Sequence, residues 1–76
     1  MQYSIHLFRH TRTLIGDAIR RHRVRHAWTL EQLSERCSLP ADMLDRYEMG
    51  RGEIDLNALF RIACALDVPL AAFVVA

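Results

Sequence analysis

Apolar residues recur along most of this chain at intervals of three and four, the spacing of one helical face. Leu14, Ile15, Ala18, Ile19 and His22 make the first such stripe, with Asp17 near its start and Arg20 to Arg25 near its end, as the helix dipole favours; a first helix is predicted over residues 11–26. Thr29 and Gln32 have the spacing of a capping box, in which each side chain bonds the other residue's backbone N–H. Leu30, Leu33 and Cys37 then carry a second, short helix over residues 30–37. Ser38-Leu39-Pro40 breaks it, and Pro40, tolerated in a first turn, opens a third helix over about 40–49. Its inward face is Leu44 and Tyr47, joined by Met43, and Gly50 stands where a left-handed cap is wanted. After the loop Arg51-Gly52-Glu53-Ile54, Asp55 caps a fourth helix in which Leu56, Leu59, Phe60, Ile62, Ala63 and Leu66 are mostly inward. Asp67-Val68-Pro69 ends that helix, and residues 70–75 form an apolar turn or two. The predicted fold class is all-α.

The first residues follow a different period. Tyr3, Ile5 and Leu7 alternate with Ser4 and His6, a pattern open to an edge strand, an extension of the first helix or an unstructured arm. The division expected is an N-terminal arm over 1–10 and one domain over 11–76. Apolar residues are 51% of the chain, too many for a disordered tail. There is no apolar run of the ~18 residues a membrane span needs, and MQYSIHLFRH lacks the apolar stretch of a signal peptide. The expectation is a cytoplasmic protein without membrane association.

The net charge of +1 conceals an asymmetry. Residues 1–28 carry six arginines against Asp17, while residues 29–76 carry four against eight acids. A basic segment is either a nucleic-acid footprint or a solvated face that pairs with the acidic remainder, and composition leaves both open.

Little in the chain suggests catalysis or metal binding. Cys37 and Cys64 are too few for a disulfide scaffold, lack metal-ligand spacing and fall at positions expected to face inward. His22 and His26 would share a helical face, but no third ligand is evident. There is no serine–histidine–acid set, phosphate-binding glycine loop or pair of carboxylates in a plausible pocket, so neither enzyme activity nor a cofactor is expected.

Two short helices around a tight turn make the helix-turn-helix pattern. The stretch Trp28-Thr29-Leu30-Glu31-Gln32-Leu33-Ser34-Glu35-Arg36 and the later Leu44-Asp45-Arg46-Tyr47-Glu48-Met49-Gly50-Arg51 resemble the Cro and phage lambda-type repressor family (Xre-like regulators). So does Leu56-x-x-Leu59-x-x-Ile62-Ala63-x-Ala65-Leu66-Asp67-Val68, and the resemblance runs from about Ile15 to Val74. It implies a five-helix lambda-repressor-like domain with helix 3 in the major groove of double-stranded DNA. It also implies that Arg23 and Glu48 form a structural ion pair locking helix 1 to the end of helix 3.

The resemblance places DNA contacts at Thr29, Ala41, Asp42, Asp45, Arg46 and Arg51. Thr29 would grip a phosphate through its hydroxyl and the N–H groups of helix 2, and Arg51 would hold another. Alanine can touch a thymine methyl, an arginine such as Arg46 can pair with guanine, and a carboxylate accepts from cytosine N4 but repels phosphate. The chain departs from the family at Leu30, Ser38 and Pro40, where a polar residue, a glycine and a polar cap are usual.

The function so implied is a sequence-specific DNA-binding transcriptional regulator. One such domain reads only a few base pairs, so a homodimer on a palindromic site is expected, built from Leu70, Phe73 and Val74 with the arm as a further contributor. The alternative is a co-regulator or antirepressor that keeps the fold, binds a protein partner and has weak or no DNA affinity. Asp42, Asp45, Leu30 and the acidic second half of the chain favour it.

Overall fold

A computed structural model describes residues 9–73 as four α-helices and a closing 3₁₀ helix: α1 (Arg9–Arg25), α2 (Leu30–Cys37), α3 (Ala41–Glu48), α4 (Leu56–Leu66) and the 3₁₀ helix Leu70–Phe73. The fold is all-α, with a short 3₁₀ turn where a fifth helix was expected. Tyr3, Ile5, Leu7 and Val74 lie outside the described residues. Helix α1 begins at Arg9, so Arg9 and His10, read as the end of an arm, are helical.

Each helix supplies one strip of the core. Ile15, Ala18 and Ile19 of α1 meet Leu33 and Cys37 of α2, Leu44 and Tyr47 of α3, and Ala58, Leu59, Ile62, Ala63 and Leu66 of α4. Five of these (Ile19, Leu33, Leu44, Ile62 and Leu66) are fully buried, and at about 1.5–3 kcal/mol per side chain removed from water they are the main attractive force in the domain. α1 packs on α3, and α2 on both α3 and α4. That arrangement leaves the N-terminus of α2 and the outer face of α3 uncovered.

Four inward assignments are corrected. Leu14, Leu56, Phe60 and Cys64 are exposed. The strip of α4 centres on Leu59, Ile62 and Leu66; at 100° per residue, Cys64 points almost directly away from it and Phe60 well to one side. Phe73, assigned to a dimer interface, is only 2% exposed and closes the chain's own core, its ring edge-on to His22 with centroids 5.8 Å apart. Leu70 is half-buried against the same core. A small domain fills its own last gap before its terminal turn is free for a second chain.

Helix ends use local chemistry. Pro40 stands before α3 as its N-cap, not within it, and offers no side-chain bond. Asp55 accepts from the Ala58 N–H at 2.7 Å. At the C-terminus of α1, Ala27 N–H reaches Val24 O (2.9 Å) and Trp28 N–H reaches Arg23 O (3.3 Å). At that of α3, Gly50 N–H reaches Tyr47 O (3.0 Å) and Arg51 N–H reaches Arg46 O (2.8 Å). Both are Schellman closures with a left-handed residue at the corner. That residue is Gly50 at φ 74° after α3, but Ala27 at φ 58° after α1.

Candidate nucleic-acid interface

The start of α2 is built by its own sequence. Thr29 Oγ1 accepts from the Gln32 N–H at 3.1 Å, and Gln32 Oε1 accepts from the Thr29 N–H at 2.8 Å. This capping box uses two of the orphan donors, while the N–H groups of Leu30 and Glu31 have no helical acceptor and face the positive end of the dipole. Thr29 is exposed, and its hydroxyl proton is not consumed by the cap.

The turn into α3 bends at Ser38, whose φ of 60° is left-handed. The Ser34 hydroxyl donates to the Leu39 carbonyl and ties the turn to α2. Pro40 and this turn together orient α3, with Ala41 half-buried and Asp42 exposed at its first turn. Arg46 is exposed one turn later and lies against Gly52: a Cβ added there would stand 3.6 Å from Arg46 Nη2. Gly52, at φ 75°, supplies the left-handed corner of this loop, and a methyl there would only touch the guanidinium at ordinary contact distance. Arg51 is exposed on the same loop. Arg46 and Arg51 therefore share one end of α3.

Asp45 differs from Asp42. It is half-buried and lines a cleft of about 350 Å³ with Arg20, Arg23, Leu30, Glu48 and Met49. Its charge adds a lesser favourable effect on Arg23, behind that of Glu48. Arg20 was missed in the sequence. It stands three residues before Arg23, a spacing that shares a helical face, but nothing in that pattern says α3 lies alongside.

Arg23 braces the whole unit. Its Nε donates to Glu48 Oε2 at 2.6 Å, Nη2 to Glu48 Oε1 at 2.9 Å, and Nη1 to the Trp28 carbonyl at 2.7 Å. The two side chains are 15% and 6% exposed. The paired hydrogen bond to Glu48 raises the Arg23 pKa against the opposing effect of burial. One guanidinium thus joins α1, the α1–α2 turn and the end of α3. Beneath it, Gly16 lets α3 approach: a Cβ there would overlap the Tyr47 carbonyl oxygen and lie 3.1 Å from the Glu48 carbonyl carbon.

The remaining chemistry is structural. Burial pushes the Cys37 thiol pKa up, and burial followed by the charge of Asp55 pushes the Tyr47 phenol up. His26 stacks on Trp28 with centroids 4.2 Å apart, and Arg36 lies 4.2 Å from the centre of the same indole. Among the described residues no three histidine, cysteine or acidic side chains gather as a metal site, and no helix is long and apolar enough to cross a membrane.

A protein-family model described as helix-turn-helix matches residues 19–73. Among solved structures, the chain is similar to a hypothetical transcription factor, NHTF, from Neisseria. The TM-score is 0.80 at 26% identity, over 84% of this chain and 74% of that one. It is also similar to the clp gene regulator ClgR from C. glutamicum, with a TM-score of 0.76 at 30% identity over 80% of this chain and 79% of the other. No curated protein sequence matches.

Proposed function

The chain belongs to the helix-turn-helix family, and on that footing we propose that it is a DNA-binding transcriptional regulator, a binding protein and not an enzyme. In this reading it is sequence-specific and acts as a dimer with α3 in the major groove. The observation that carries it is the common exposure of the open α2 N-terminus, the outer face of α3 and the loop bearing Arg51. Phosphate grip falls to Thr29 with the first N–H groups of α2 and to Arg51. Base contacts fall to Ala41, Asp42 and Arg46, with Asp45 at the margin because it is half-buried in the cleft beside Arg20 and Arg23.

One observation favours a second reading. Asp42 is exposed on α3 and Asp45 is half-exposed, against Arg46 alone among the basic residues of that helix. Two carboxylates near a duplex oppose phosphate binding. A helix-turn-helix co-regulator or antirepressor that docks on a protein would tolerate them. Selection of bound sequences from a random DNA pool separates the two. Enrichment of a motif is expected from the regulator; folded protein that enriches none refutes it and leaves the co-regulator.

A further inference from the structure

A cleft of about 390 Å³ opens between the last turn of α2 and the middle of α4, at the opposite end of α2 from Thr29. Phe60 and Cys64 of α4 and Cys37 of α2 give it apolar walls, and Arg36 and Arg61 are its cations. Phe60 is 57% exposed and Cys64 is exposed, so the cleft is a groove open to solvent and not an enclosed pocket. A phenylalanine left at the surface of so small a domain, with no place in its core, marks a contact surface.

The charge of this groove is one-sided. Residues 29–76 carry eight acids against four arginines, yet two of those arginines and none of those acids line it. Glu35 and Asp67, the acids nearest in sequence to the lining residues, stand outside it. All nine acids of the chain fall within the described residues, whose ion pairs are Asp17 with Arg21 and Arg23 with Glu48. Arg36 and Arg61 therefore have no carboxylate partner among the described residues, in the half of the chain that is richest in carboxylates.

Both guanidiniums are held by contacts that leave their charge in place. Arg36 lies over the Trp28 ring at 4.2 Å, and a cation–π contact commits none of its N–H donors to an acceptor. Arg61 gives one N–H to the Ser38 carbonyl at 3.3 Å and keeps its other donors. Fixing two long side chains beforehand lowers the entropic cost of binding an anion. The open shape then narrows the class of occupant. A small carboxylate would be covered on one side only, whereas small-molecule sites bury about 70–90% of their ligand. A DNA duplex brings charge but no apolar side chain to set against Phe60 and Cys64. An extended protein segment supplies both.

We propose that the groove between α2 and α4 is a docking site for an acidic segment of a partner protein that carries a bulky apolar residue. The apolar side chain packs on Phe60 and Cys64, and the acids flanking it pair with Arg36 and Arg61. Helix α2 has eight residues, about 12 Å, so a segment docked at its C-terminal end leaves the N-terminal end at Thr29 uncovered. The proposal goes beyond the DNA-binding reading and does not rest on it.

The test is selection from a random decapeptide library on the immobilised full chain at low salt, followed by fluorescence anisotropy with one synthetic peptide of the enriched sequence. Peptides that combine two or more acids with a phenylalanine, tryptophan, leucine or isoleucine are expected to be enriched. Arg61→Gln and Phe60→Ser should each weaken the peptide by roughly tenfold, with unchanged helical circular dichroism, because both side chains are exposed. Added salt should weaken it as well. Arg25→Gln, which removes an exposed charge from α1, should leave the affinity as it is. The assignment is overturned by any of five results: no enriched peptide, enrichment of basic or uncharged peptides, equal loss with Arg25→Gln, displacement of the peptide by an oligonucleotide, or a self-associated chain that Phe60→Ser makes monomeric. None of these decides whether a motif is enriched from a DNA pool, so the two readings fail separately.

Discussion

Single residues carry costs that the helical pattern does not display. Ala27 closes α1 from the left-handed region at φ 58°, where a Cβ crowds the following carbonyl. Ala27→Gly removes that crowding and is expected to stabilise the domain by about 1 kcal/mol, read as a higher denaturation midpoint. His22 is a second case. Burial against Phe73 lowers its pKa below the ordinary value near 6.5, and the charges of Arg25, Arg21 and His26 add to the effect. A base with a lowered folded pKa is harder to protonate in the folded chain than in the unfolded one. Its contribution to stability is therefore complete above about pH 6.5 and is lost as pH falls through the folded value. Melting temperature should drop on acidification below about pH 6.5, and the drop should shrink in His22→Gln. An unchanged pH profile in that variant would rule His22 out as the titrating group.

Between elements, the contact of α1 with α3 decides how the outer face of α3 is presented. Helix propensity alone favours Gly16→Ala by up to about 1 kcal/mol. The Tyr47 carbonyl occupies the space that the new methyl needs, and backbone cannot rotate aside as a long side chain can. Overpacking prevails, and a net loss of about 2 kcal/mol is expected in chemical denaturation. The brace above it behaves as a unit. Removing Arg23 or Glu48 leaves a largely buried charge unpaired, and each alanine variant should lose about 3 kcal/mol. The double variant should lose less than the sum, and strict additivity would mean that the two charges act independently.

At the scale of the whole molecule, charge distribution sets how the domain would meet a duplex. Arg51 is exposed on the loop after α3, and Arg46 is held beside it against Gly52. If Arg51 holds a phosphate, Arg51→Ala should weaken binding to all sequences alike and reduce the salt slope by about one unit. Arg46→Ala should instead cost about 1–3 kcal/mol and relax preference at one base pair. The pair of measurements separates positioning from readout, and a uniform effect of both would place Arg46 on the backbone.

The helices, their caps and most of the core were legible in the residues, because period, capping chemistry and turn residues act within a few positions of one another. Thr29 with Gln32, Asp55 and Gly50 fell where their local chemistry predicted. The Cro-like motifs also pointed to Arg23 and Glu48, 25 residues apart, as partners. What remained depended on which helix lies against which. The same stripe of α4 that holds Leu59 and Ile62 inside leaves Leu56 and Phe60 outside, and only the packing of α1, α2 and α3 determines its width. Phe73 reads as a sticky terminus in sequence and as the last piece of the core in three dimensions, because α1 and α4 together leave the space it fills. Gly16 and Arg20 acquire their meaning in the same way: each is defined by a backbone or side chain distant in sequence, which no local period encodes.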